Sequence, residues 1–385
     1  MYPLLEPHLG DWFCTTSQRL AALAGEHRAE LASADEAGVF PDQIYRSLGR
    51  LGFIGLLTPV EYGGCGRGAA EYCVVAEECA VNGLVSVQTA VQGQRWLLEW
   101  GTDAQKSKYL PGLCSGETVF SESISEPRMG SSFKQMEATA CRTSDGDWIL
   151  NGEKTHVNLG LESHVTIFYG ITEQGLTSFL VDTSTSGITR TRTDPIGLRL
   201  IPTADVLFTD VRVDDDALLA QPGQGMATFL STFNLSRLGN ASELIGFARR
   251  AMTMAVDYAC QRRVADDVVT GFQGIRWKLA DVYDSIYAAT LARDRAALIF
   301  DSGRDCAFET SLAKKMAIDA AEKAAAEMFA LTGGHGLYRD RGFHQLLCDI
   351  KVLRTAGGSH EVLRNYVAAR ILRSPSYEGL RWPAT

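Results

Sequence analysis

Residues 148–158 read Trp148-Ile-Leu-Asn-Gly-Glu-Lys-Thr-His-Val-Asn158. They lie in a region, Thr118 to Leu219, where Thr, Val, Ile and Phe alternate with polar residues in short runs. This alternation predicts β-strands. Asn151-Gly152 is expected to form a turn, and Thr143–Asp147 another turn just before it. The region is therefore predicted to form a β domain.

Helical patterns lie on both sides of this domain. Before it, from Leu20 to Leu113, apolar residues recur three and four positions apart, which predicts amphipathic helices. Long amphipathic segments after the β domain predict a bundle of antiparallel helices. These segments are residues 225–261, 271–301 and 304–331. The predicted fold class is α+β, with an N-terminal helical domain, a middle β-barrel or sandwich domain and a C-terminal four-helix bundle, at residues 1–117, 118–222 and 223–385.

The composition excludes several classes of protein. At 385 residues, 45% hydrophobic and 22% charged, the chain has a globular composition. The net charge is −9 and no stretch concentrates Lys and Arg, so nucleic acid is not an expected partner. With no basic-apolar leader and no run of about 18 apolar residues, we expect a cytoplasmic protein without a membrane partner. The nine cysteines show no C-x-x-C pair and no His/Cys cluster, so no metal site is expected.

The first of four informative segments reads Phe120-Ser-Glu-Ser-Ile-Ser-Glu-Pro-Arg-Met-Gly-Ser-Ser132. It resembles the T-E-P-x-x-G-S loop of the acyl-CoA dehydrogenases, which lies against the flavin of FAD. A ring with alternating donors and acceptors needs fixed partners, since each buried polar group left unpaired costs roughly 1–3 kcal/mol. The resemblance implies that Ser125 replaces the flavin-facing Thr of the family, and that Glu122, Ile124 and Ser131 occupy neighbouring contact positions.

The second segment is the stretch at 148–158, which is similar to the family's L-N-G-x-K-x-W-I-T-N. Lys154 matches this pattern. The aromatic that packs on the flavin is replaced by His156, and the hydroxyl residue at the reactive flavin nitrogen by Asn158. An imidazole can stack and an amide can donate, so the resemblance still implies flavin contacts at these two positions.

The third segment reads Leu235-Ser-Arg-Leu-Gly-Asn-Ala-Ser-Glu-Leu-Ile-Gly-Phe-Ala-Arg249 and resembles the first long helix of the family's C-terminal bundle. By this resemblance Arg262 donates to the FAD pyrophosphate of a neighbouring subunit, a use that suits a forked cation. Gln273 faces the same FAD. The aromatic-glycine pair expected after the Arg is absent. A site completed by a neighbour implies at least a homodimer, and the family norm is a homotetramer.

The fourth segment combines Leu331-Thr-Gly-Gly-His-Gly-Leu-Tyr338 with residues 349–364. It resembles the family's G-G-x-G-Y and D-x-K-x-x-x-I-Y-E-G-T-x-E-x-x-R. The resemblance implies that backbone approaches a phosphate at Gly333 and Gly334, where no side chain intervenes. It also assigns Ser359 and Glu361 to the cofactor site. The fold implied by the four segments together is that of the acyl-CoA dehydrogenases.

The carboxylate base of this family is missing from its usual place. Family chemistry is an α,β-desaturation in which a carboxylate removes the α-proton while the β-hydrogen leaves as hydride. The Glu of Y-E-G-T is Gly357 here, and the alternative position used by isovaleryl-CoA dehydrogenases is Ser236. A serine hydroxyl is not a useful base without a second group to activate it. Glu243, seven residues after Ser236 and two helical turns along the same face, is the candidate catalytic base.

Three functions stay open at this point. The first is an FAD-dependent dehydrogenase of an acyl-CoA or acyl-carrier-protein thioester, acting at a distal or terminal position in secondary metabolism such as polyketide biosynthesis. The second is a flavin-dependent monooxygenase on the same fold, which needs no carboxylate base. The third is a redox-silent thioester binder. For the dehydrogenase, the resemblance implies electron-transferring flavoprotein or oxygen as electron acceptor.

Overall fold

The computed structural model describes residues 4–130 and 132–373, so the predicted flavin contact Ser131 lies outside the described residues. The described residues group into two units. Residues 11–236 form one unit, here called the sheet unit, and residues 4–10 with 237–373 form the other, the helix unit.

Helices precede the sheet, as the apolar spacing predicted. The pattern around residue 42 becomes a helix with Ile44, Tyr45 and Leu48 buried on one face. A later helix begins with a capping box in which Thr102 and Gln105 satisfy each other's backbone N–H groups. The bounds are α1 Glu6–Leu9, α2 Asp11–Glu26, α3 Arg28–Ala37, α4 Asp42–Arg50, α5 Ala69–Asn82, α6 Gln88–Trp100 and α7 Asp103–Ser115.

The middle of the chain forms a mixed sheet. Its strands are β1 Phe120–Ser123, β2 Thr139–Arg142, β3 Trp148–Asn158, β4 Val165–Thr172, β5 Gly175–Asp182, β6 Ile188–Arg192, β7 Thr203–Val213 and β8 Leu218–Leu219. The order is β6-β7-β3-β2-β4-β5-β8, and β1 pairs with β4. β1 runs parallel to β4 and places Glu122 opposite Ile167. The turn predicted at Thr143–Asp147 is confirmed, with the Thr143 N–H donating to the Asp147 carbonyl at 2.8 Å.

The turn predicted at Asn151-Gly152 was wrong, because both residues lie inside β3. The Asn151 side chain bonds to β7 instead: Oδ1 accepts from the Asp210 N–H at 2.8 Å and Nδ2 donates to Asp210 Oδ1 at 3.1 Å. The β3–β7 register shifts between Leu150 and Gly152. A Cβ on Gly152 would lie 2.4 Å from the Cβ of Ala138. Asn151 thus bonds across the β-bulge to β7, and Gly152 allows β3 to lie close to Ala138.

The two faces of the sheet carry separate apolar clusters, as alternation along each strand requires. One, here called the α6 cluster, includes Trp96, Leu97, Phe120, Ile124, Ile167 and Tyr169. The other contains Phe168, Phe179 and Phe208. Helix α6 approaches β1 closely, since a Cβ at Gly93 would lie 2.5 Å from the Phe120 ring. This contact holds the start of β1 against α6.

Long helices follow the sheet. Residues 225–261 were predicted as one helix, but the structure has two, separated at Thr232. The helices predicted over 271–301 and 304–331 are confirmed to within a few residues. The elements are α8 Gly225–Ser231, α9 Phe233–Gln261, the hairpin β9 Arg263–Val264 and β10 Asp267–Val268, α10 Gln273–Asp301, α11 Ala307–Thr332, α12 Phe343–Thr355 and α13 His360–Arg373.

Over residues 4–130 and 132–373, no helix has the length and apolarity needed to cross a membrane. The same residues contain no group of three or more His, Cys, Asp or Glu side chains placed to hold a metal ion.

Candidate active site

A buried ion pair fixes the loop after β1 in the sheet unit. Lys154 Nζ lies 2.7 Å from Glu126 Oε1, with the two side chains 0% and 3% exposed. The ammonium also donates to the Ile124 carbonyl at 3.3 Å. The Glu126 carboxylate accepts from the backbone N–H groups of Glu137 and Ala138 at 2.6 and 3.1 Å. Burial lowers the pKa of Lys154 to about 8, although Glu126 favours the charged form. Both residues stand in the quoted motifs, but their pairing was not predicted.

The end of β3 presents its polar side chains outward through a bulge. The β3–β7 register shifts between Lys154 and Val157, and His156 between them has a φ of 57°. The Thr155 N–H donates to the Ser125 carbonyl at 2.8 Å, which joins this bulge to the loop after β1. His156 and Asn158 are exposed and Ser125 is half-buried. The structure thus places Ser125 beside the bulge that carries His156, with Asn158 two residues further along β3.

Glu122 differs from its neighbours on β1. Its side chain shares a face of the sheet with the buried Ile124, and its Oε1 atom is buried without a hydrogen-bond partner among the described residues. Burial raises the pKa of Glu122 to about 8. On the opposite face, Ser121 and Ser123 bond to hydroxyl groups at 2.9 and 2.8 Å. Glu122 is therefore the polar group of β1 that still needs a partner.

In the helix unit, the residues predicted to contact FAD phosphates lie at or next to the ends of helices. Arg262 follows the last residue of α9, Gln273 begins α10, and both are exposed. The exposed Gly333 has a φ of 54° and follows α11. The His335 ring stacks on Tyr258 at 4.4 Å, which holds the Gly-rich turn against α9. Gly334 is exposed and open, so its backbone is accessible to a ligand.

The loop that carries the family's usual base is held by a buried lysine. Lys314 Nζ donates to the carbonyls of Ala356 and Gly358. Burial, with a smaller effect of Arg237, lowers the pKa of Lys314 to about 7. Gly357 and Gly358 have φ values of 63° and 91°, which favour glycine. Position 357 is therefore conformationally defined but has no side chain.

The two remaining predicted contacts of this loop lie at the start of α13. Ser359 Oγ accepts from the Val362 N–H at 3.3 Å and so caps the helix. Glu361 is exposed and accepts from Arg354 Nη2 at 2.6 Å. Its own backbone N–H, assisted by Arg354, holds the pKa of Glu361 below its usual range. Ser359 thus has a structural role in addition to any contact with a cofactor.

Glu243, the predicted base, lies inside α9 and is 3% exposed. The adjacent Ser242 hydroxyl accepts from Arg293 Nη1 at 2.8 Å. Arg293 Nε also donates to Asp294 Oδ1 at 2.7 Å, and both of these side chains are 0% exposed. Glu243 is therefore a buried acidic residue of the helix unit, next in sequence to a serine that bonds to a buried arginine.

Comparison with known proteins agrees with this architecture over most of the chain. Models for the N-terminal, middle and C-terminal domains of acyl-CoA dehydrogenases match residues 17–117, 121–211 and 223–372. The chain belongs to the acyl-CoA dehydrogenase family. The family and fold predicted from the four segments are thereby confirmed. Members are FAD-dependent oxidoreductases that act on the CH–CH group of acyl-CoA thioesters.

Individual relatives are similar over nearly their full length. An acyl-CoA dehydrogenase of Bacillus subtilis (strain 168) is 32% identical, covering 90% of this chain and 94% of that protein. A 3-(aryl)acrylate reductase of Clostridium sporogenes is 31% identical, covering 88% and 92%. The solved butyryl-CoA dehydrogenase of Megasphaera elsdenii superimposes with a TM-score of 0.87 at 26% identity, covering 93% and 98%.

The polar groups of the acyl-CoA dehydrogenase site in this chain fit an FAD. The Ser125 hydroxyl and the Asn158 amide make no hydrogen bond to another described residue, and Glu122 Oε1 is buried and unpartnered. Such groups match a ring edge with alternating donors and acceptors. By the family resemblance Arg262 would reach the pyrophosphate of a neighbouring subunit's FAD, and the exposed backbone of the Gly333-Gly334 turn suits a phosphate group. Bound FAD supplies the acceptor for hydrogen removed as hydride.

Proposed function

We propose that this protein is an FAD-dependent dehydrogenase of an acyl thioester in secondary metabolism, working without a carboxylate at the usual position. The substrate handle is CoA or an acyl carrier protein, and the bond oxidised lies at a distal or terminal position of the chain. The electron acceptor is electron-transferring flavoprotein or oxygen, and the protein is a cytoplasmic homodimer or homotetramer. Its domains are residues 1–117, 118–222 and 223–385.

One observation carries the proposal. Glu122 on β1, Ser125 in the loop after it and Asn158 at the end of β3 keep polar groups without a partner among the described residues, and the buried Lys154–Glu126 pair fixes that loop. A fixed, unpartnered polar edge is what FAD binding requires, because donors that are already in position cost little reorganisation on binding. In a chain similar to acyl-CoA dehydrogenases from residue 17 to residue 372, it supports a working flavin site.

Each predicted site residue keeps its role within the proposal. The loop after β1 and the end of β3 contact the flavin ring. Arg262 and Gln273 contact the FAD of a neighbouring subunit, Arg262 at its pyrophosphate. The Gly333-Gly334 turn approaches a phosphate, and Ser359 and Glu361 are cofactor contacts. Glu243 accepts the proton. Its burial inside α9, at 3% exposure, keeps this carboxyl away from bulk solvent.

A flavin-dependent monooxygenase is the second candidate, favoured by the lack of a carboxylate at both family positions. Gly357 has no side chain, and Ser236 is buried and accepts from Gln88 Nε2 at 3.3 Å. A serine already engaged as an acceptor is no substitute for the base. Reduced flavin and oxygen would carry out the chemistry without one.

An anaerobic titration tests the proposal. Purified holoprotein is mixed with acyl-CoA and acyl-carrier-protein thioesters of several chain lengths while the flavin absorbance is recorded. Bleaching is expected for the dehydrogenase. Oxygen consumption after chemical reduction of the flavin, without prior bleaching by any thioester, would favour the monooxygenase. Thioester binding without either response would leave a redox-silent binder.

A substitution tests the base. Glu243→Gln should slow flavin reduction about 100-fold or more, since proton removal by a positioned group contributes about 10²–10⁴. Asp257→Asn, an exposed carboxylate on the same helix, is the matched control and should leave the rate unchanged. Equal rates in wild type and Glu243→Gln, with equal FAD content, would end the candidacy of Glu243.

A further inference from the structure

The sheet unit contains a cavity of about 300 Å³ that is lined by none of the predicted flavin contacts. Its apolar wall consists of Val39 and Phe40, which lie between α3 and α4, and of Val119, which precedes β1. Phe40 and Val119 are buried. This volume is at the lower end of the range for small-molecule sites. The space suits a compact molecule with an apolar body.

A histidine at this cavity offers a hydrogen-bond donor. His164 lines the cavity, and its Nδ1 atom accepts from the Val119 N–H at 3.0 Å. The His164 N–H donates in turn to the Val119 carbonyl at 2.9 Å. Because Nδ1 is an acceptor, we place the ring proton on Nε2. Nε2 has no partner among the described residues and His164 is exposed, so this donor is available to a ligand.

Arg46 on α4 offers further donors at the same cavity. Its Nε atom donates to Asp42 Oδ2 at 2.8 Å, which orients the guanidinium group. Neither of its Nη groups bonds to another residue that the structure describes. The two amino groups of a guanidinium match the two oxygens of a carboxylate or phosphate group. Arg46 and His164 thus provide three open donor groups.

Two arginines of β6 hold the walls of the cavity. Arg190 Nη1 donates to the carbonyls of the two residues that flank Glu162, at 2.9 and 3.2 Å. Arg192 Nη2 donates to the Ala37 carbonyl at 2.7 Å, two residues before the apolar wall begins. Neither arginine forms an ion pair with a carboxylate of the described residues. The walls are therefore fixed before a ligand arrives, and both charges are positive.

The carboxylates of the cavity are less available than the donors. Glu162 lines it, but the Oε2 atom of Glu162 is enclosed and has no partner among the described residues. The Asp42 carboxylate already accepts from Arg46. Three guanidinium groups at or behind the walls face these two carboxylates. The charge balance and the open donors both favour an anion over a cation.

We propose that this cavity binds a small organic acid, whose carboxylate or phosphate group contacts Arg46 and His164 and whose apolar body packs on Val39, Phe40 and Val119. The site goes beyond the proposed function, because it uses no residue assigned to FAD or to the proton transfer. A neutral analogue of the same shape gives up the charge-assisted hydrogen bonds to Arg46. A cation of the same shape would meet the guanidinium groups instead.

Calorimetry on the holoprotein tests this site with pairs of ligands that share an apolar body. Benzoate and pentanoate are compared with benzamide and pentanamide, phenyl phosphate tests the second oxyanion, and benzylammonium tests a cation. At least one anion should bind about tenfold or more tightly than the amide with the same body, because hydrogen bonds to a charged group are the stronger kind. Phenyl phosphate is compared with benzamide for this purpose. Benzylammonium should bind no better than benzamide.

Substitutions locate the binding. Arg46→Gln should weaken the preferred anion about tenfold or more, and His164→Phe about threefold or more, since each removes an open donor. Because His164 is exposed, its substitution keeps the test valid if Arg46→Gln does not fold. Arg50→Gln is the matched control: Arg50 is an exposed arginine of the same helix, bonds to Ser47 at 2.6 Å and does not line the cavity. It should leave anion binding unchanged.

Two results would overturn the inference. One is that no anion binds more tightly than its amide. The other is anion binding that persists unchanged in both Arg46→Gln and His164→Phe, which would place the anion elsewhere on the protein. Neither result affects the proposed function, because flavin bleaching by thioesters is measured separately and these variants should bleach as the wild type does.

Discussion

Each unit contains a fully buried lysine that donates to the backbone of a loop assigned to the flavin site. The two lysines differ in whether a carboxylate among the described residues pairs with the ammonium group. In the sheet unit, Lys154 donates to the Ile124 carbonyl and also meets the Glu126 carboxylate at 2.7 Å. In the helix unit, Lys314 donates to the Ala356 and Gly358 carbonyls, and no carboxylate of the described residues pairs with it.

The pKa values follow this difference. Burial lowers the pKa of Lys154 to about 8, with Glu126 opposing the shift. It lowers the pKa of Lys314 to about 7, and Arg237 adds to the shift. The loop after β1 is thus fixed by a lysine whose charge is compensated by a carboxylate. The Gly357 loop is fixed by a lysine that bonds only to backbone carbonyls and loses its proton near pH 7. The second loop should therefore depend on pH.

The largest expected effect comes from breaking the compensated pair. Lys154→Met should lower the free energy of unfolding by about 3–5 kcal/mol, because it leaves the Glu126 carboxylate charged and buried. Urea unfolding measures the change. Lys108→Met, which removes an exposed pair with Asp182 at 2.9 Å, is the control and should cost less than about 1 kcal/mol. Adding Glu126→Gln to Lys154→Met should restore much of the loss; equal losses in Lys154→Met and the control would contradict the comparison.

A pH series sharpens the comparison next. Unfolded lysine keeps its proton to about pH 10.5, whereas buried Lys314 loses it near pH 7. Between these values the unfolded chain binds more protons, so the free energy of unfolding rises with pH, by about 1 kcal/mol per unit from this group. Below about pH 7 both states are protonated and the contribution is flat. Lys314→Met should lose this rise in urea unfolding at pH 6, 7.5 and 9, and parallel profiles for wild type and variant would refute it.

Loop order should respond to the same substitution at a single pH. In Lys314→Met the carbonyls of Ala356 and Gly358 lose their donor, a change of about 1–2 kcal/mol in local opening. Amide hydrogen exchange over residues 356–359 should become about tenfold faster at pH 6.5, where the lysine is charged. Exchange over residues 124–126 should not change, because that loop has its own lysine. Faster exchange in both loops would indicate general destabilisation instead.

The smallest effect concerns the cap of α13. Ser359→Ala should cost about 1 kcal/mol, since the Val362 N–H loses its acceptor. Thermal unfolding of the apoprotein measures this without interference from FAD. Ser359→Asp, which restores a capping oxygen, should recover the stability. A Tm unaffected by either substitution would leave Ser359 with no structural role.

The sequence predicted the order of helices and strands because periodicity reports which face of a local element is buried. It failed at Asn151-Gly152, a pair that is typical of a turn but lies in a β-bulge here. The contacts that distinguish the bulge from a turn are made to Asp210 and Ala138, which are distant in sequence. The Lys154–Glu126 pair joins positions 28 residues apart, and its burial follows from strand pairing that no local pattern encodes.

The partnerless state of Glu122 was equally invisible in the sequence. It depends on the parallel register that sets Glu122 opposite Ile167, on the face of the sheet that the α6 cluster covers. A carboxylate at an alternating position of a strand is ordinarily exposed, and only the packing of α6 on β1 encloses this one. The predicted roles of Glu243 and of the cofactor contacts stay predictions.

The contact between Gly93 and Phe120 sets a rule for redesign. A Cβ at position 93 would lie 2.5 Å from the Phe120 ring, so the separation of α6 from β1 is determined by two residues jointly. Enlarging residue 93 alone forces the helix off the strand, whereas shortening residue 120 alone leaves a void. A larger residue at position 93 combined with a smaller one at position 120 would therefore keep the spacing between α6 and β1. Protein engineering or natural divergence could change this contact in that way and keep the fold.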